Sequence, residues 1–284
     1  MILSKRTSSL KFFGATFLER KVAKKYKFPT DGKKTIKPGV KMKIFEYTLI
    51  DSTNEEARRY GTDGDISPSL PALFIAEEQT EGRGRMGRSF FSPSKTGLYA
   101  SLLIEAPSDT ARLLSLTSLA AVAASEAIYS RFKINVSIKW VNDLYLDSKK
   151  IAGILAESFI AHGKRLIVLG IGINLATSDF PEDLLNKAAS LNLAAHTSAD
   201  AKRALALDIF ERLLSYLNAS STNEAMQIYR ARSCVIGKSI TFTSHGEQAR
   251  ATATGITDTG ALCVRLESGE ELVLDSGEIS LILN

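Results

Sequence analysis

The sequence predicts an α+β fold in which a mixed, mainly antiparallel sheet is packed with helices and is followed by a small C-terminal β-barrel. Apolar periodicity indicates four strands in quick succession, at 135–140, 144–146, 151–160 and 165–175. Their links are short, which favours antiparallel neighbours because parallel strands need long crossover connections. After Cys234 the chain changes to short strand-like segments separated by turn pairs such as His245-Gly246 and Ser268-Gly269, a pattern typical of a small barrel.

The rest of the chain supplies the other strands and the helices. Further strands are predicted at 43–49, 72–78 and 97–106, and helices at 52–60, 109–132, 199–218 and 222–232. Ser52 and Glu55 have the spacing of a capping box, so we expect Ser52 to cap the first helix.

Positive charge is concentrated at the start of the chain. The net charge is +5 overall and +11 for residues 1–44, which leaves −6 for the remainder, so the basic pI is no argument for nucleic-acid binding by the whole protein. Residues 1–41 fit a transit peptide, a nucleic-acid-binding arm, a stretch upstream of a translation start at Met42, or a disordered tail without function. We predict a main domain at 42–233 and a barrel domain at 234–284.

The composition, with 44% apolar and 24% charged residues, is that of a soluble globular protein. The sequence reading finds no apolar run near the roughly 18–20 residues that span a bilayer, so no membrane association is expected. Cys234 and Cys263 show no metal-binding spacing, and three scattered histidines do not improve the case for a metal site. We therefore expect a reduced, cytoplasmic enzyme, or a mitochondrial or other organellar one if residues 1–41 are a transit peptide.

Residues 82–88, "GRGRMGR", carry three arginines on a backbone that three glycines make flexible. The glycines match a dinucleotide fingerprint, but that motif requires a helix to start inside it, whereas a strand is predicted to follow here. Glycine exposes backbone N–H groups, and arginine offers a fixed fork for phosphate or carboxylate. The loop is therefore predicted to bind an anion, and without one its like charges should repel and keep it mobile.

Two further segments carry candidate chemistry. Residues 139–153, "KWVNDLYLDSKKIAG", place Asn142 and Asp143 before a hairpin that bears Lys149 and Lys150. A lysine at the mouth of an apolar strand can place a compact positive charge on a phosphate or acyl oxygen, although an ordinary hairpin with surface lysines is the alternative. "GIGIN", at 170–174, ends a buried strand with small residues, for which close packing alone is a sufficient explanation.

Five segments together resemble the biotin protein ligase family in order and spacing, over about residues 43–284. They are "DSTN" (51–54), "EEQTEGRGRMGRSFFSP" (77–93), "KWVNDLYLDSKKIAGILAE" (139–157), "VLGIGIN" (168–174) and "GALCVRLESGEELVLDSGEISL" (260–281). The resemblance implies a class II synthetase-like catalytic domain with an SH3-like C-terminal barrel. It also implies that ATP and Mg²⁺ activate biotin as biotinyl-5′-AMP, and that biotin then passes to one lysine of a biotin carboxyl carrier domain.

The resemblance also implies roles for individual residues. Those expected to contact biotin are Ser52, Thr53, Asn54, Gln79, Arg83, Gly84, Arg85 and Lys150. Those expected to contact ATP or the adenylate are Arg83, Arg85, Phe90, Asn142, Asp143, Lys150 and Asn174. Lys150 and Arg85 are the catalytic candidates, and Asp143 would hold Mg²⁺ through ATP. Met86 and Val141 stand where the family commonly has arginine and proline.

Two alternative functions stay open at this point. A lipoate or octanoate ligase or transferase shares the fold and a catalytic lysine, but an Arg-Arg and Ser-Gly-Gly-Gly pattern would be expected instead of "GRGRMGR". A biotin-sensing repressor would carry an N-terminal winged-helix module, for which the 41 residues before Met42 are too few. DNA is therefore not an expected partner, whereas the carrier domain is, and a homodimer is compatible with the sequence.

Overall fold

The computed structural model describes residues 41–63, 70–244 and 247–282. The predicted basic segment at 1–41, apart from Lys41, and the predicted turn at His245-Gly246 lie outside the described residues.

The first sheet has seven strands in the described part of the chain. They are β1 (Lys43–Tyr47), β2 (Ala72–Ala76), β3 (Gly97–Glu105), β4 (Ser137–Lys139), β5 (Asp143–Leu146), β6 (Lys149–Ala161) and β7 (Lys164–Asn174). Across the sheet they lie in the order β1-β2-β3-β7-β6-β5-β4. The pair β1–β2 is parallel and the other neighbours are antiparallel, which confirms the predicted mixed, mainly antiparallel sheet.

Helices cover both faces of this sheet. They are α1 (Thr53–Thr62), α2 (Thr110–Phe132), α3 (Ala199–Asn218) and α4 (Asn223–Arg232). α1 packs on β2, β3 and β7, while α2 packs on β4, β5 and β6 and also contacts α3 and α4. The predicted helices are thus confirmed, with ends that differ by one or two residues.

Helix α2 is the central helix of the larger core. Its N-cap is Asp109, whose carboxylate accepts a hydrogen bond from the Ala111 N–H at 2.9 Å, and it ends at Lys133 in the left-handed conformation. By length and composition α2 could cross a membrane, a feature that the sequence reading missed, but 67% of its most apolar window is buried inside the protein. It is therefore best explained as the core helix of the fold.

Strand β3 shows how the two faces of the sheet differ. Its alternate residues Leu98, Ala100, Leu102 and Ile104 join the core under α2, while Leu103 joins the smaller core under α1. The residues between them, Tyr99 and Ser101, lie on the α1 face beyond that smaller core. β7 follows the same alternation and places Gly170 and Gly172 on the α1 face.

The second sheet has five antiparallel strands in the described residues. They are β8 (Ser239–Ser244), β9 (Glu247–Ile256), β10 (Leu262–Leu266), β11 (Glu271–Leu274) and β12 (Ile279–Leu281), in the order β11-β10-β9-β8-β12. This confirms the predicted C-terminal β-structure, whereas the domain boundary between residues 233 and 234 stays a prediction. A hydrogen bond joins the two sheets. The indole N–H of Trp140, directly after β4, donates to the carbonyl of Gly260, in the β9–β10 turn, at 2.8 Å.

Candidate active site

A cleft of about 1260 Å³ opens on the α1 face of the first sheet. Its walls come from the start of α1, the glycine–arginine loop (residues 77–96), the β4–β5 turn, the segment 180–188 after β7, and residues 277–280 at the start of the last strand of the second sheet. It contains each site residue that the sequence predicted: Ser52, Thr53, Asn54, Gln79, Arg83, Gly84, Arg85, Phe90, Asn142, Asp143, Lys150 and Asn174. Residues distant in sequence therefore converge on one cleft.

Three glycines form the floor of the cleft and leave space for the side chains that lie over it. A Cβ on Gly170 would collide with the Asn54 side chain, and one on Gly172 would lie 2.5 Å from the Phe90 ring. A Cβ on Gly153 would lie 3.2 Å from the Lys150 Nζ. The small residues of "GIGIN" therefore admit functional side chains and are more than close packing between strands.

The start of α1 is buried, and its backbone is satisfied by the glycine–arginine loop. The Thr53 N–H donates to Gln79 Oε1 at 2.8 Å, so a side chain 26 residues away takes a capping role. The predicted capping box is wrong, because Ser52 makes no side-chain cap. Glu55 instead pairs with Arg83 and lies 3.9 Å from Arg58, so its carboxylate is drawn to guanidinium groups.

The turn that leads into α1 is held by an ion pair. Both Asp51 carboxylate oxygens accept hydrogen bonds from Arg59, at 2.8 Å each, and Oδ1 also accepts from the Ser52 N–H at 2.6 Å. Burial alone would raise the pKa of Asp51, but these hydrogen bonds outweigh it and hold the pKa below its ordinary value. Asp51 therefore stays ionised and fixes the backbone at Ser52, the first residue of the "STN" segment.

Each arginine of the glycine–arginine loop has acceptors within the protein. Arg83 pairs with Glu55 and lies 3.5 Å from Glu157. Arg85 donates to Asn142 Oδ1 at 3.1 Å and to the Gly277 carbonyl at 3.0 Å. The predicted repulsion between unpaired arginines is therefore relieved inside the chain, by partners on other elements.

The third arginine of the loop, Arg88, forms a two-pronged pair with Glu278 at 2.6 and 2.5 Å. The Arg88 hydrogen bonds lower the pKa of Glu278, against a smaller opposing effect of burial. The second sheet thus holds the loop at two points, Gly277 and Glu278.

Lys150 and Asp143 form an ion pair at the mouth of the hairpin, with 2.7 Å between Nζ and Oδ1. Asn142, next to Asp143, donates from Nδ2 to the Ile154 carbonyl at 2.7 Å and accepts from Arg85. One fixed amide thus joins the β4–β5 turn to the loop. Burial, followed by the nearby Asp143 charge, raises the pKa of Tyr145 to about 12, so this phenol stays neutral.

Asn174 and Phe90 complete the cleft. Asn174 donates from Nδ2 to the Ala189 carbonyl at 3.0 Å, and its buried Oδ1 has no partner among the described residues. The Phe90 ring lies over the glycine floor, 6.4 Å from the Tyr99 ring in an edge-on arrangement. Its predicted role beside the adenine stays a prediction.

Comparison with known proteins identifies the family. A model described as the biotin/lipoate A/B protein ligase family matches residues 49–174, and one described as the biotin protein ligase C-terminal domain matches residues 235–282. The biotin–[acetyl-CoA-carboxylase] ligase of Paracoccus denitrificans is 30% identical over 237 residues, which cover 78% of this chain and 94% of that protein. The chain belongs to the biotin protein ligase family.

Two further similarities place this chain among its relatives. The bifunctional ligase/repressor BirA of Bacillus spizizenii is 34% identical over 155 residues, which cover 54% of this chain and 47% of that protein. The chain thus spans about half the length of the bifunctional relatives it matches. A biotin protein ligase from Aquifex aeolicus, solved in complex with biotin and ATP, superposes with a TM-score of 0.70 at 26% identity, over 85% of this chain and 99% of that one.

Several residues of the cleft were missed by sequence reasoning. The segment 180–188 lines it, and the Phe180 ring lies 6.2 Å from the Phe91 ring of the glycine–arginine loop. A usable signal existed, because residues 175–198 form a long connection without a strand or α-helix, and such loops are often functional. Glu278, which lines the cleft, gave no local signal, and neither did Ser101 and Glu157, which contact Asn54 behind the cleft wall.

Proposed function

We propose that this ligase activates biotin with ATP as biotinyl-5′-AMP and transfers the biotinyl group to one lysine of a biotin carboxyl carrier domain. The observation that carries the proposal is the convergence of Arg85, Asn142, Asp143 and Lys150 on one cleft with a glycine floor. A relative named for the acetyl-CoA carboxylase and a similar structure holding biotin and ATP support the same reaction.

The first step joins two anions. A biotin carboxylate oxygen attacks the α-phosphorus of ATP, the bond to the β-phosphate oxygen breaks, and pyrophosphate leaves. Arg85 and Lys150 supply fixed positive charge on either side of Asn142 and Asp143, which lowers the repulsion between the reactants.

The residues present are compatible with Mg²⁺. Asp143 offers a carboxylate, and Mg²⁺ usually binds through one or two carboxylates together with substrate phosphates. Among the described residues no group of three His, Cys, Asp or Glu side chains could hold a metal. When bound, the ion would neutralise phosphate charge, while Lys150 holds Asp143 at 2.7 Å.

In the second step the amine of a carrier lysine attacks the acyl carbon, the bond to the phosphate oxygen breaks, and AMP leaves as the amine loses a proton. The mixed anhydride is prone to hydrolysis, so water must be kept away from it. Phe91 and Phe180 both line the cleft, with their rings 6.2 Å apart, and this apolar pair is suited to that task.

Isotope exchange between pyrophosphate and ATP tests the reaction class. We expect exchange that depends on biotin and Mg²⁺, followed by a mass increase of one biotinyl group on a carrier domain. Exchange that appears with lipoate or octanoate and not with biotin would assign the chain to the other branch of its family model.

A further inference from the structure

The turn that leads into Asn142 and Asp143 is held from inside the core by a residue that the mechanism above does not use. Residues 140–142 form this turn, between β4 and β5. The hydroxyl of Tyr229, on α4, donates to the Val141 carbonyl at 3.1 Å. Tyr229 is fully buried and is not part of the cleft lining. It therefore reaches the turn from behind and cannot contact a ligand in the cleft.

The Tyr229 hydroxyl has a task that a phenylalanine could not perform. A buried hydroxyl is costly unless it is hydrogen-bonded, so its retention in the core points to the bond that it makes. Burial raises the pKa of Tyr229, against a smaller opposing effect of Ser118. The phenol therefore keeps its proton and donates it to the Val141 carbonyl, which can only accept.

Holding the Val141 carbonyl fixes the position of Asn142. The carbonyl belongs to the planar peptide unit that ends at the Asn142 Cα, so the two move together. Ile154 holds Asn142 at two further points: its N–H donates to the Asn142 carbonyl at 3.0 Å, and its carbonyl accepts from Asn142 Nδ2 at 2.7 Å. Tyr229 thus completes a frame that sets Asn142, and Asp143 directly after it, in the wall of the cleft.

Helix α4 also supports this turn through the second sheet. Arg230 donates from Nε to the Ile256 carbonyl at 2.7 Å and pairs with Asp258, so it holds the β9–β10 turn. The Gly260 carbonyl of that turn accepts the hydrogen bond from the Trp140 indole. Consecutive residues of α4 therefore act on the β4–β5 turn, one directly and one through the second sheet.

We propose that Tyr229 is a positioning residue for adenylation, which acts through the Val141 carbonyl to set Asn142 and Asp143 against ATP. The inference rests on the proposed function and deepens it, because it names a buried residue on which use of the nucleotide depends. The start of α1 is held separately, through Gln79. A displaced β4–β5 turn should therefore impair the use of ATP more than the binding of biotin.

The test removes one oxygen atom from the full chain. In Tyr229→Phe we expect kcat/KM for ATP, measured in biotin-dependent pyrophosphate exchange, to fall on the order of tenfold, because small displacements at a reacting centre are costly. The Kd for biotin, measured by calorimetry, should change less than about twofold. Amide exchange over residues 140–143 should be faster in the ligand-free variant. A wild-type kcat/KM for ATP in Tyr229→Phe would overturn the inference.

Tyr216→Phe is the matched control. The Tyr216 hydroxyl, on α3, donates to Glu126 on α2, so this variant also loses a phenolic hydrogen bond between packed elements, and Tyr216 does not line the cleft. Both variants should lower the melting temperature by a few degrees. Only Tyr229→Phe should lower kcat/KM for ATP. Equal kinetic losses in the two variants would make Tyr229 a purely structural residue and contradict the inference.

Arg230 is the second positioning residue, and its variants keep the test decisive if Tyr229→Phe does not fold. Arg230→Met removes both bonds to the β9–β10 turn, whereas Arg230→Lys keeps a cation for Asp258. We expect Arg230→Met to lower kcat/KM for ATP about fivefold, and Arg230→Lys to recover most of it. Equal losses for ATP and for biotin in Arg230→Met would mean that the whole cleft is loosened, against the inference. Absence of biotin-dependent exchange in the wild type would instead contradict the proposed function itself.

Discussion

Lys150 stands at the centre of the proposed chemistry, because it is the cation paired with Asp143 in the β5–β6 hairpin. Lys150→Ala should lower the rate of adenylation on the order of 10²–10³-fold, as expected for loss of one preorganised charge at a reacting centre. Biotin affinity should fall less than turnover, since the walls of the cleft are kept. Pre-steady-state kinetics of adenylate formation measures the adenylation rate, and calorimetry measures the biotin affinity.

The control for Lys150→Ala is Lys164→Ala, in the β6–β7 hairpin. This variant removes an ion pair of similar length, in which the Lys164 Nζ lies 2.9 Å from the Glu105 Oε2. It should leave adenylation near the wild-type rate. If Lys150→Ala turned over as fast as this control, Lys150 would have no catalytic role.

Glu278 gives a prediction about pH. Its pKa lies below the ordinary value of 4.5 because Arg88 donates to it, so the pair stabilises the folded protein above about pH 4.5 and this contribution is lost as the pH falls through the folded pKa. In Arg88→Ala the carboxyl should titrate close to its ordinary value. Carbon-detected NMR titration of the glutamates compares the two proteins, and an unchanged Glu278 midpoint would mean that the pair does not form in solution.

The glycine–arginine loop shows what the second sheet contributes to the cleft. Gly277 and Glu278 hold Arg85 and Arg88, so Glu278→Gln should speed amide exchange over residues 82–88 in the free protein. Biotin together with ATP should slow exchange in the same residues, because the adenylate supplies new anionic partners. Hydrogen exchange with mass spectrometry measures both effects. Equal protection with and without ligand would make the loop a static part of the scaffold.

Most elements were predictable from sequence, since periodicity placed the helices and the antiparallel strands within a few residues. The arginines of the loop and Lys150 were predictable as well, because their residue types and density are unusual locally. The contacts of Asn54 with Ser101 and Glu157 were not, because they arise from the pairing of strands: β3 pairs with β7 so that Ser101 lies opposite Gly170, the glycine that leaves room for Asn54. No local sequence pattern shows that these two residues lie opposite each other. The capping box failed for the same reason, since a distant Gln79 took its place.

The role of the basic N-terminal segment can be tested by removing it. Deleting residues 1–41 removes a net charge of +10 and none of the cleft-lining residues in the part of the chain that the structure describes. A protein that starts at Met42 should therefore ligate biotin as well as the full chain. Initial rates of carrier biotinylation by the two proteins decide this, and a loss beyond about threefold would assign the segment a part in catalysis or carrier binding. Mass spectrometry of the native N-terminus would then decide between the cytoplasm, which we propose, and an organelle.

The second sheet shares its core with the main one. Val235, Ile240 and Phe242 belong to the same buried cluster as α2, so a truncation after Arg232 exposes apolar surface and should lower the melting temperature. It also removes Gly277 and Glu278, the partners of two loop arginines, while leaving Thr53, Asn54 and Gln79 in place.

At a temperature where the truncated protein is folded, we expect it to bind biotin but to lose adenylation or transfer to the carrier. The full chain carrying Glu278→Ala separates the two effects, since it loses one loop partner and keeps the shared core. Full carrier biotinylation by the folded truncation would show that the second sheet only covers apolar surface.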